Sequence, residues 1–299
     1  MLTPKRSPRM SLWHHLSEQI SLHTDSHFKI NHHAPIGGGC INEAYRVSDG
    51  NSAYFVKLNS SQYHDMFETE ALSLQEMQLG TVRVPKPICS GQTETQAYLV
   101  LEYLALSGRP DPALFGQQIA AMHQITSNQH GWLRDNTIGA TPQLNNRSNN
   151  WVSFWREQRL LPQLNLAHKN GYGSALSPVT DKLLADFERL FDSYSPQPSM
   201  LHGDLWGGNA AALADGTAVI FDPAFYYGDR ETDIAMTQLF GGFEPRFYAA
   251  YNEAWPLDAG FAVRKTFYNF YHILNHLNLF GGGYLGQAIS MAEKVLAEI

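Results

Sequence analysis

The sequence predicts an α+β protein with a small, β-rich N-terminal lobe and a larger, mainly helical C-terminal lobe. Before residue 103, short apolar runs with strand periodicity flank turn signals such as Asp49-Gly50. After residue 110, apolar residues recur at helical spacing in most segments. We therefore expect an N-terminal lobe over residues 1–103 and a C-terminal lobe over residues 104–299, with a small-molecule site in the cleft between them.

The N-terminal lobe is expected to form an antiparallel sheet with helices. Leu12, Leu16 and Ile20 recur at four-residue steps and indicate a first helix capped by Ser11. Strands are predicted over residues 27–36, 43–48, 52–58 and 96–103, and a second helix over 62–79. In the C-terminal lobe, a strand is predicted over 218–221 and helices over 112–126, 150–169, 180–191, 232–240, 246–255, 261–279 and 284–298.

Composition limits the classes of function. The formal net charge is −7 over 299 residues, which argues against a nucleic-acid or anionic-membrane partner, since both require clustered Lys and Arg. No apolar run is long enough for a membrane span. The two cysteines, Cys40 and Cys89, make no disulfide framework. We expect a cytoplasmic protein.

Residues 202–209 contain the pattern that carries the chemistry. Asp204 and Asn209 have the spacing of kinase catalytic loops, in which the aspartate accepts the proton of the substrate hydroxyl and the asparagine binds magnesium. Asp222 ends the apolar run 219–221, where a carboxylate suits a metal ligand that bridges the phosphates of ATP. Two carboxylates and an amide favour Mg²⁺ over Zn²⁺. Taken singly, a glycine-rich turn and a strand-end turn remain alternative interpretations.

The N-terminal lobe offers groups for the nucleotide. Backbone N–H groups of Gly37, Gly38 and Gly39 can cover phosphates, although such a run is often a plain turn. Lys57 lies in an apolar strand and requires an anionic partner. We expect that partner to be the ATP phosphates together with Glu70, and Glu68 is the alternative because the two glutamates point in different directions on a helix.

The connection between the lobes is expected to hold the adenine. Glu102, Tyr103 and Leu104 follow a buried strand, and their backbone groups can hydrogen-bond the base.

Six segments together resemble the fructosamine kinase (ketosamine kinase) family, within the group of aminoglycoside phosphotransferases and choline kinases. These segments are residues 37–42, 55–59, 66–71, 202–209, 239–243 and 280–284. The resemblance implies a protein-kinase-like fold. It also implies ATP-dependent 3-O-phosphorylation of the sugar part of glycated amines, which makes the adduct labile and permits deglycation. Pro223-Ala224 after Asp222 departs from protein kinases and favours a small-molecule kinase that needs no activating phosphorylation.

The substrate site is predicted from fewer observations. The Trp206 ring suits the C–H face of a sugar, with packing in the core as the less favoured alternative. His272 and Asn275 form a polar group with His276 on an apolar helix and are expected to line the cleft, with a satisfied core position as the alternative. The resemblance associates the position of Cys40 with redox sensitivity and disulfide-linked dimers, so the chain is expected to be a monomer or a redox-sensitive homodimer.

The expected reaction is transfer of the ATP γ-phosphoryl group to a sugar hydroxyl of a ketosamine. One alternative is a kinase of another amino-alcohol or of an aminoglycoside. A second alternative is a nucleotide-binding regulator without catalysis, which is disfavoured because Lys57, Asp204, Asn209 and Asp222 are all present.

Overall fold

The structure is a computed structural model that describes residues 11–37 and 41–299. The chain divides into two compact units, Met1–Gln75 with Pro85–Ala105 and Glu76–Val84 with Leu106–Ile299. Residues 76–84, which precede the predicted boundary at residue 103, group with the second unit. None of the helices in the described part of the chain is long and apolar enough to cross a membrane.

The first unit is an antiparallel sheet with two helices. Its sheet has five strands in the order β1-β2-β3-β5-β4. The elements are α1 (Leu12–Thr24), β1 (His32–Pro35), β2 (Glu43–Ser48), β3 (Ala53–Ser60), α2 (His64–Met77), β4 (Pro87–Gln92) and β5 (Gln96–Glu102). The last residues of α2 belong to the second unit. The strand β4 was not predicted, because Pro85 and Pro87 indicated an extended link there.

Local chemistry explains the ends of these elements. Ser11 caps α1 by accepting a hydrogen bond from the backbone N–H of His14. The β2–β3 turn is closed by Asp49, whose carboxylate accepts from the N–H groups of Asn51 and Ser52 at 2.8 and 2.7 Å. Gly50 adopts a φ of 106°, which glycine tolerates without strain. One face of the sheet packs on α1 through Leu16 and Ile20.

The second unit is mainly helical and carries three short pairs of strands beside its helices. Its helices are α3 (Pro112–His123), α4 (Trp151–Trp155), α5 (Leu161–Lys169), α6 (Gly173–Asp186), α7 (Glu231–Thr237), α8 (Pro245–Ala254), α9 (Phe261–Phe280) and α10 (Leu285–Leu296). Its strands are β6 (Asn136–Ile138), β7 (Thr141–Gln143), β8 (Ser199–Leu201), β9 (Ala210–Ala212), β10 (Ala218–Ile220) and β11 (Tyr226–Gly228). The strands pair as β6–β7, β8–β11 and β9–β10.

A π-helical turn, Arg156–Leu160, joins α4 to α5 where the sequence predicted one continuous helix. Such turns are often found at functional sites because they redirect a side chain. Here the turn carries Arg159, which is fully buried.

The core of the second unit surrounds α9. This helix presents buried residues on nearly all sides, from Arg264 to Leu277. The pair Glu231–Arg264 ties α7 to α9, with Arg264 Nε 2.7 Å from Glu231 Oε2. The two units together confirm the predicted α+β class, with an antiparallel sheet in the first and helices in the second.

Candidate active site

The segment 202–209 follows β8 and contains a sharp bend at Gly203. Gly203 has a φ of 82°, and a Cβ atom there would lie 1.9 Å from the carbonyl oxygen of Ala224. Only glycine meets both requirements, since other residues disfavour this φ and their Cβ would clash. The bend brings residues 202–204 against residues 222–224, which follow β10.

Asp204 and Asn209 are joined by hydrogen bonds. Asn209 Nδ2 donates to the backbone oxygen of Asp204 at 2.9 Å and to its Oδ2 at 3.1 Å. The pKa of Asp204 is raised to about 7, chiefly by burial and also by the negative charges of Asp222 and Asp233, which together outweigh the lowering effect of the hydrogen bond from Asn209. A carboxylate with a pKa near the working pH is suited to act as a general base.

Asp233 holds the start of this segment in place. Its carboxylate accepts from the backbone N–H groups of His202 at 2.7 Å and Gly203 at 2.8 Å. His123 Nε2 lies 3.1 Å from Asp233 Oδ2, and the other ring nitrogen of His123 lies 2.8 Å from the Tyr251 hydroxyl. Burial raises the pKa of Asp233, but the hydrogen bond and charge of His123 and the contacts of His202 outweigh it, so the pKa is lowered. Asp233 therefore stays ionised and braces the segment.

Asp222 stands at the end of β10 in an unusual backbone conformation. Its φ is 58°, in the left-handed region that non-glycine residues enter at a cost of about 1–2 kcal/mol. Its neighbours are fixed on both sides, because the Phe221 N–H donates to Asn209 O at 3.1 Å and the Ala224 N–H donates to His202 O at 2.9 Å. Strain held by such neighbours is typical of functional positions.

Asp204, Asn209 and Asp222 offer a small set of oxygen donors. This set fits magnesium better than a metal that takes all of its ligands from the protein. Because Nδ2 of Asn209 points to Asp204, its Oδ1 is the atom left to face a cation. Within residues 11–37 and 41–299, no group of three or more His, Cys, Asp or Glu side chains could hold a metal ion. Magnesium keeps several ligands from water and phosphate, so a small set of oxygen donors suffices.

In the first unit, Lys57 on β3 pairs with Glu70 on α2. Lys57 Nζ lies 2.6 Å from Glu70 Oε1, and the two side chains are 7% and 11% exposed. Of the two glutamates that the sequence left open, Glu70 makes this bond. Charge-assisted bonds of this length hold a lysine in one direction.

The other predicted nucleotide positions lie in the same unit. Gly37 is exposed, whereas Gly38, Gly39 and Cys40 lie outside the described residues, so their predicted roles stay predictions. The backbone N–H of Glu102 donates to Lys86 O at 2.9 Å, and its carboxylate accepts from the Lys86 N–H at 2.5 Å. The Glu102 N–H is thereby engaged with Lys86, and the adenine contacts expected of Glu102, Tyr103 and Leu104 stay predictions.

Trp206 begins a chain of aromatic side chains in the second unit. Its ring meets Phe240 edge-on at 5.8 Å, and Phe240 meets the His276 ring at 4.8 Å. His276 also contacts Phe280 and Tyr284 at 5.5 and 5.3 Å. Trp206 is half-buried. Sequence reasoning missed Phe240 and Tyr284 as members of this aromatic chain. The four-residue steps from His272 to His276 and Phe280 place those three side chains on one helix face.

His272 and Asn275 lie in the core of the second unit. Each is 3% exposed. The pKa of His272 is lowered to about 3, chiefly by burial and also by the nearby His276 and Arg159, which together outweigh the raising effect of Asp233. Asn275 accepts a hydrogen bond from Gln163 at 3.0 Å. Their predicted contact with substrate stays a prediction that this burial disfavours, because α9 is surrounded by protein at these positions.

The sequence model of the fructosamine kinase family matches residues 12–298. The chain belongs to the fructosamine kinase family. A probable ketoamine kinase from Synechocystis sp. is 46% identical over 297 residues, covering 98% of this chain and 99% of the relative. A chloroplastic protein-ribulosamine 3-kinase from Arabidopsis thaliana is 41% identical, covering 87% of this chain and 81% of the relative.

Solved structures agree with this membership. A candidate fructosamine-3-kinase from Haemophilus somnus has a TM-score of 0.87 at 29% identity, covering 94% of this chain and 96% of that chain. An aminoglycoside phosphotransferase in complex with ADP and hygromycin B has a TM-score of 0.61 at 15% identity, covering 96% and 97%. The second likeness shows the kinase-like fold alone.

Proposed function

We propose that this fructosamine kinase family member transfers the γ-phosphoryl group of ATP to a sugar hydroxyl of ketosamines, the fructosamine or ribulosamine adducts of amines. The observation that carries the proposal is the Asp204 carboxylate, held by Asn209 and given a pKa of about 7 by burial. Membership of the family and the names of its ketoamine and ribulosamine kinase relatives support this acceptor class.

Asp204 would orient the acceptor hydroxyl and take its proton. The carboxylate is ionised in a large fraction of molecules at neutral pH, yet it is basic enough to accept a proton as the oxygen attacks phosphorus. Asp233 supports this role indirectly, since it fixes the backbone N–H groups of His202 and Gly203. The proton then leaves Asp204 when the phosphorylated product is released.

Asn209 and Asp222 would hold Mg²⁺ in the second unit. When bound, this ion neutralises the developing negative charge on the phosphates. In the first unit, Lys57 would orient the α- and β-phosphates because Glu70 holds its side chain. Backbone groups of Gly37, Gly38 and Gly39 would cover the phosphates, and those of Tyr103 and Leu104 would contact adenine.

The ring of the half-buried Trp206 would receive the sugar. Aromatic faces suit the C–H surface of a sugar, and the contact with Phe240 fixes the orientation of the indole. Phosphorylation of the adduct would make it labile and so serve deglycation. We place this activity in the cytoplasm, because a chain with two cysteines and no disulfide framework suits a reducing compartment.

An acceptor panel tests the proposal. Ribulosamine, fructosamine, choline and an aminoglycoside are offered with Mg·ATP, and ADP release is measured. We expect turnover with the two ketosamines and its loss in Asp204→Ala, with ATP binding retained. A preference for choline or the aminoglycoside would establish the alternative acceptor class. Absence of acceptor-dependent ADP release with the whole panel would point to a non-catalytic nucleotide-binding protein.

A further inference from the structure

The β6–β7 hairpin carries three buried amide side chains that the proposed chemistry does not use. Asn136, Gln143 and Asn145 are 6%, 2% and 1% exposed. Buried amides are costly unless their polar atoms are bonded. These three meet that requirement mainly through one another and through a single neighbouring segment.

That segment is the one that directly follows Asp222. Asn136 Nδ2 donates to the backbone oxygen of Phe225 at 2.8 Å. Gln143 Nε2 donates to the backbone oxygen of Ala224 at 3.0 Å. Two consecutive carbonyl groups, two and three residues beyond the proposed metal ligand, are therefore held by side chains of the hairpin.

Further hydrogen bonds hold the three amide side chains in place. Asn136 Oδ1 accepts from both Gln143 Nε2 and Asn145 Nδ2 at 2.9 Å. Gln143 Oε1 accepts from the Tyr271 hydroxyl at 2.9 Å, and Asn145 Oδ1 accepts from Arg159 Nη2 at 2.8 Å. Arg159 is the fully buried residue of the π-helical turn, and its guanidinium also stacks on the Tyr226 ring at 4.0 Å. Each amide has one orientation that satisfies all these bonds.

The opposite side of the segment contacts the catalytic loop. The Ala224 N–H donates to His202 O, and Gly203 lies so close to Ala224 O that a Cβ atom at residue 203 would clash with it. Residues 223–225 are thus enclosed between the loop that carries Asp204 and the amides of the hairpin. A residue with a left-handed φ of 58°, as at Asp222, keeps that conformation only when its neighbours impose it.

We propose that Asn136 and Gln143 are positioning residues that hold the backbone after Asp222, and thereby aim the Asp222 carboxylate at the metal of the Mg·ATP complex. The inference rests on the proposed function only for the identity of what Asp222 binds. The hairpin gives this protein a permanent internal support for its metal-binding segment. No modification of the chain is needed to order that segment.

The experiment compares two identical exchanges at buried amides. Asn136→Leu removes the bond to Phe225 O together with the two bonds that Asn136 Oδ1 accepts, and Asn269→Leu removes a 2.8 Å bond to Ala235 O at a side chain that is 5% exposed. Mn²⁺ binding in the presence of ADP is followed by electron paramagnetic resonance. Hydrogen–deuterium exchange of residues 222–228 is followed on the metal-free protein.

We expect Asn136→Leu to weaken Mn²⁺ binding by about 10–100-fold and to speed exchange in residues 222–228. Asn269→Leu should lower the melting temperature without either change. Gln143→Met, which keeps the side-chain length and removes the donor, should act like Asn136→Leu and decides the matter if Asn136→Leu fails to fold. Wild-type Mn²⁺ affinity and wild-type exchange in the Gln143 variant would overturn the inference. Failure of the wild-type protein to phosphorylate a ketosamine, with the exchange result as expected, would overturn the proposed function and leave the positioning role established.

Discussion

Asp204→Asn should stabilise the nucleotide-free protein at alkaline pH while removing its activity. The folded-state pKa of Asp204 is about 7, against an ordinary value of 3.8, chiefly because burial disfavours the charged form. The folded protein therefore binds this proton more tightly than the unfolded chain does. In the wild-type protein, this pKa difference lowers the free energy of unfolding progressively as the pH rises from about 4 to about 7, and its effect is complete above pH 7. Asparagine carries no charge and escapes this loss.

The size of the effect follows from the pKa difference. Each pKa unit corresponds to about 1.4 kcal/mol, so a shift of roughly three units gives an upper limit of about 4 kcal/mol. Part of the Asp204 surface is exposed to solvent, which screens the charge, and we expect about 2–4 kcal/mol above pH 7. At about 2–4 °C per kcal/mol, the melting temperature should rise by at least about 4 °C.

Thermal melts in EDTA between pH 4.5 and pH 8.5 measure this difference. The gap between Asp204→Asn and the wild-type protein should widen with pH and level off above pH 7. Asp215→Asn is the matched control, because hydrogen bonds from Thr217 lower the pKa of that exposed carboxylate and its neutralisation should bring no stabilisation. A gap that is constant with pH, or a wild-type protein that is the more stable at pH 8, would refute the reasoning. Turnover of Asp204→Asn should fall by about 10²–10⁴-fold.

Substitutions at three further residues test the surroundings of Asp204. Glu70→Gln should raise the KM for ATP by about tenfold or more, because losing about 1.4 kcal/mol of binding free energy from a less well oriented Lys57 lowers the affinity tenfold. An unchanged KM in steady-state kinetics would contradict the role of the pair. Asp233→Ala leaves two backbone N–H groups without their acceptor, so chemical denaturation should show a loss of about 2–6 kcal/mol along with reduced kcat. Trp206→Ala should raise the KM for a ketosamine and spare the KM for ATP, whereas Trp206→Phe should restore most of the acceptor affinity; equal kinetics of both variants and wild type would remove Trp206 from the acceptor site.

The sequence predicted those features that depend on local chemistry. Three such features are the helix spacing of Leu12, Leu16 and Ile20, the Asp49-Gly50 turn and the cap at Ser11. Each depends only on residues a few positions away in the sequence. The same holds for Asp204 and Asn209, which are five residues apart and bond each other. The confirmed α+β class follows from such local patterns added along the chain.

Short strands were beyond sequence reasoning for a physical reason. The strands β6 to β9 and β11 are three residues each, which is too short for the alternation that marks a strand. They exist because distant partners complete their hydrogen bonds, as Leu201 does with Tyr226. Likewise, the apolar pattern of the segment 150–169 indicated one helix and could not show the π-helical turn at Arg159.

The sequence by itself therefore determined the family and the α+β class, because motif spacing and periodicity are properties of neighbouring residues. Only the tertiary structure decided which polar side chains reach solvent and which support others. It buries His272 and Asn275 within the core around α9, and it joins Gln143 to the backbone of Ala224 across 81 residues. Burial and long-range hydrogen bonds depend on how distant segments pack, and no local pattern of residue types specifies that packing.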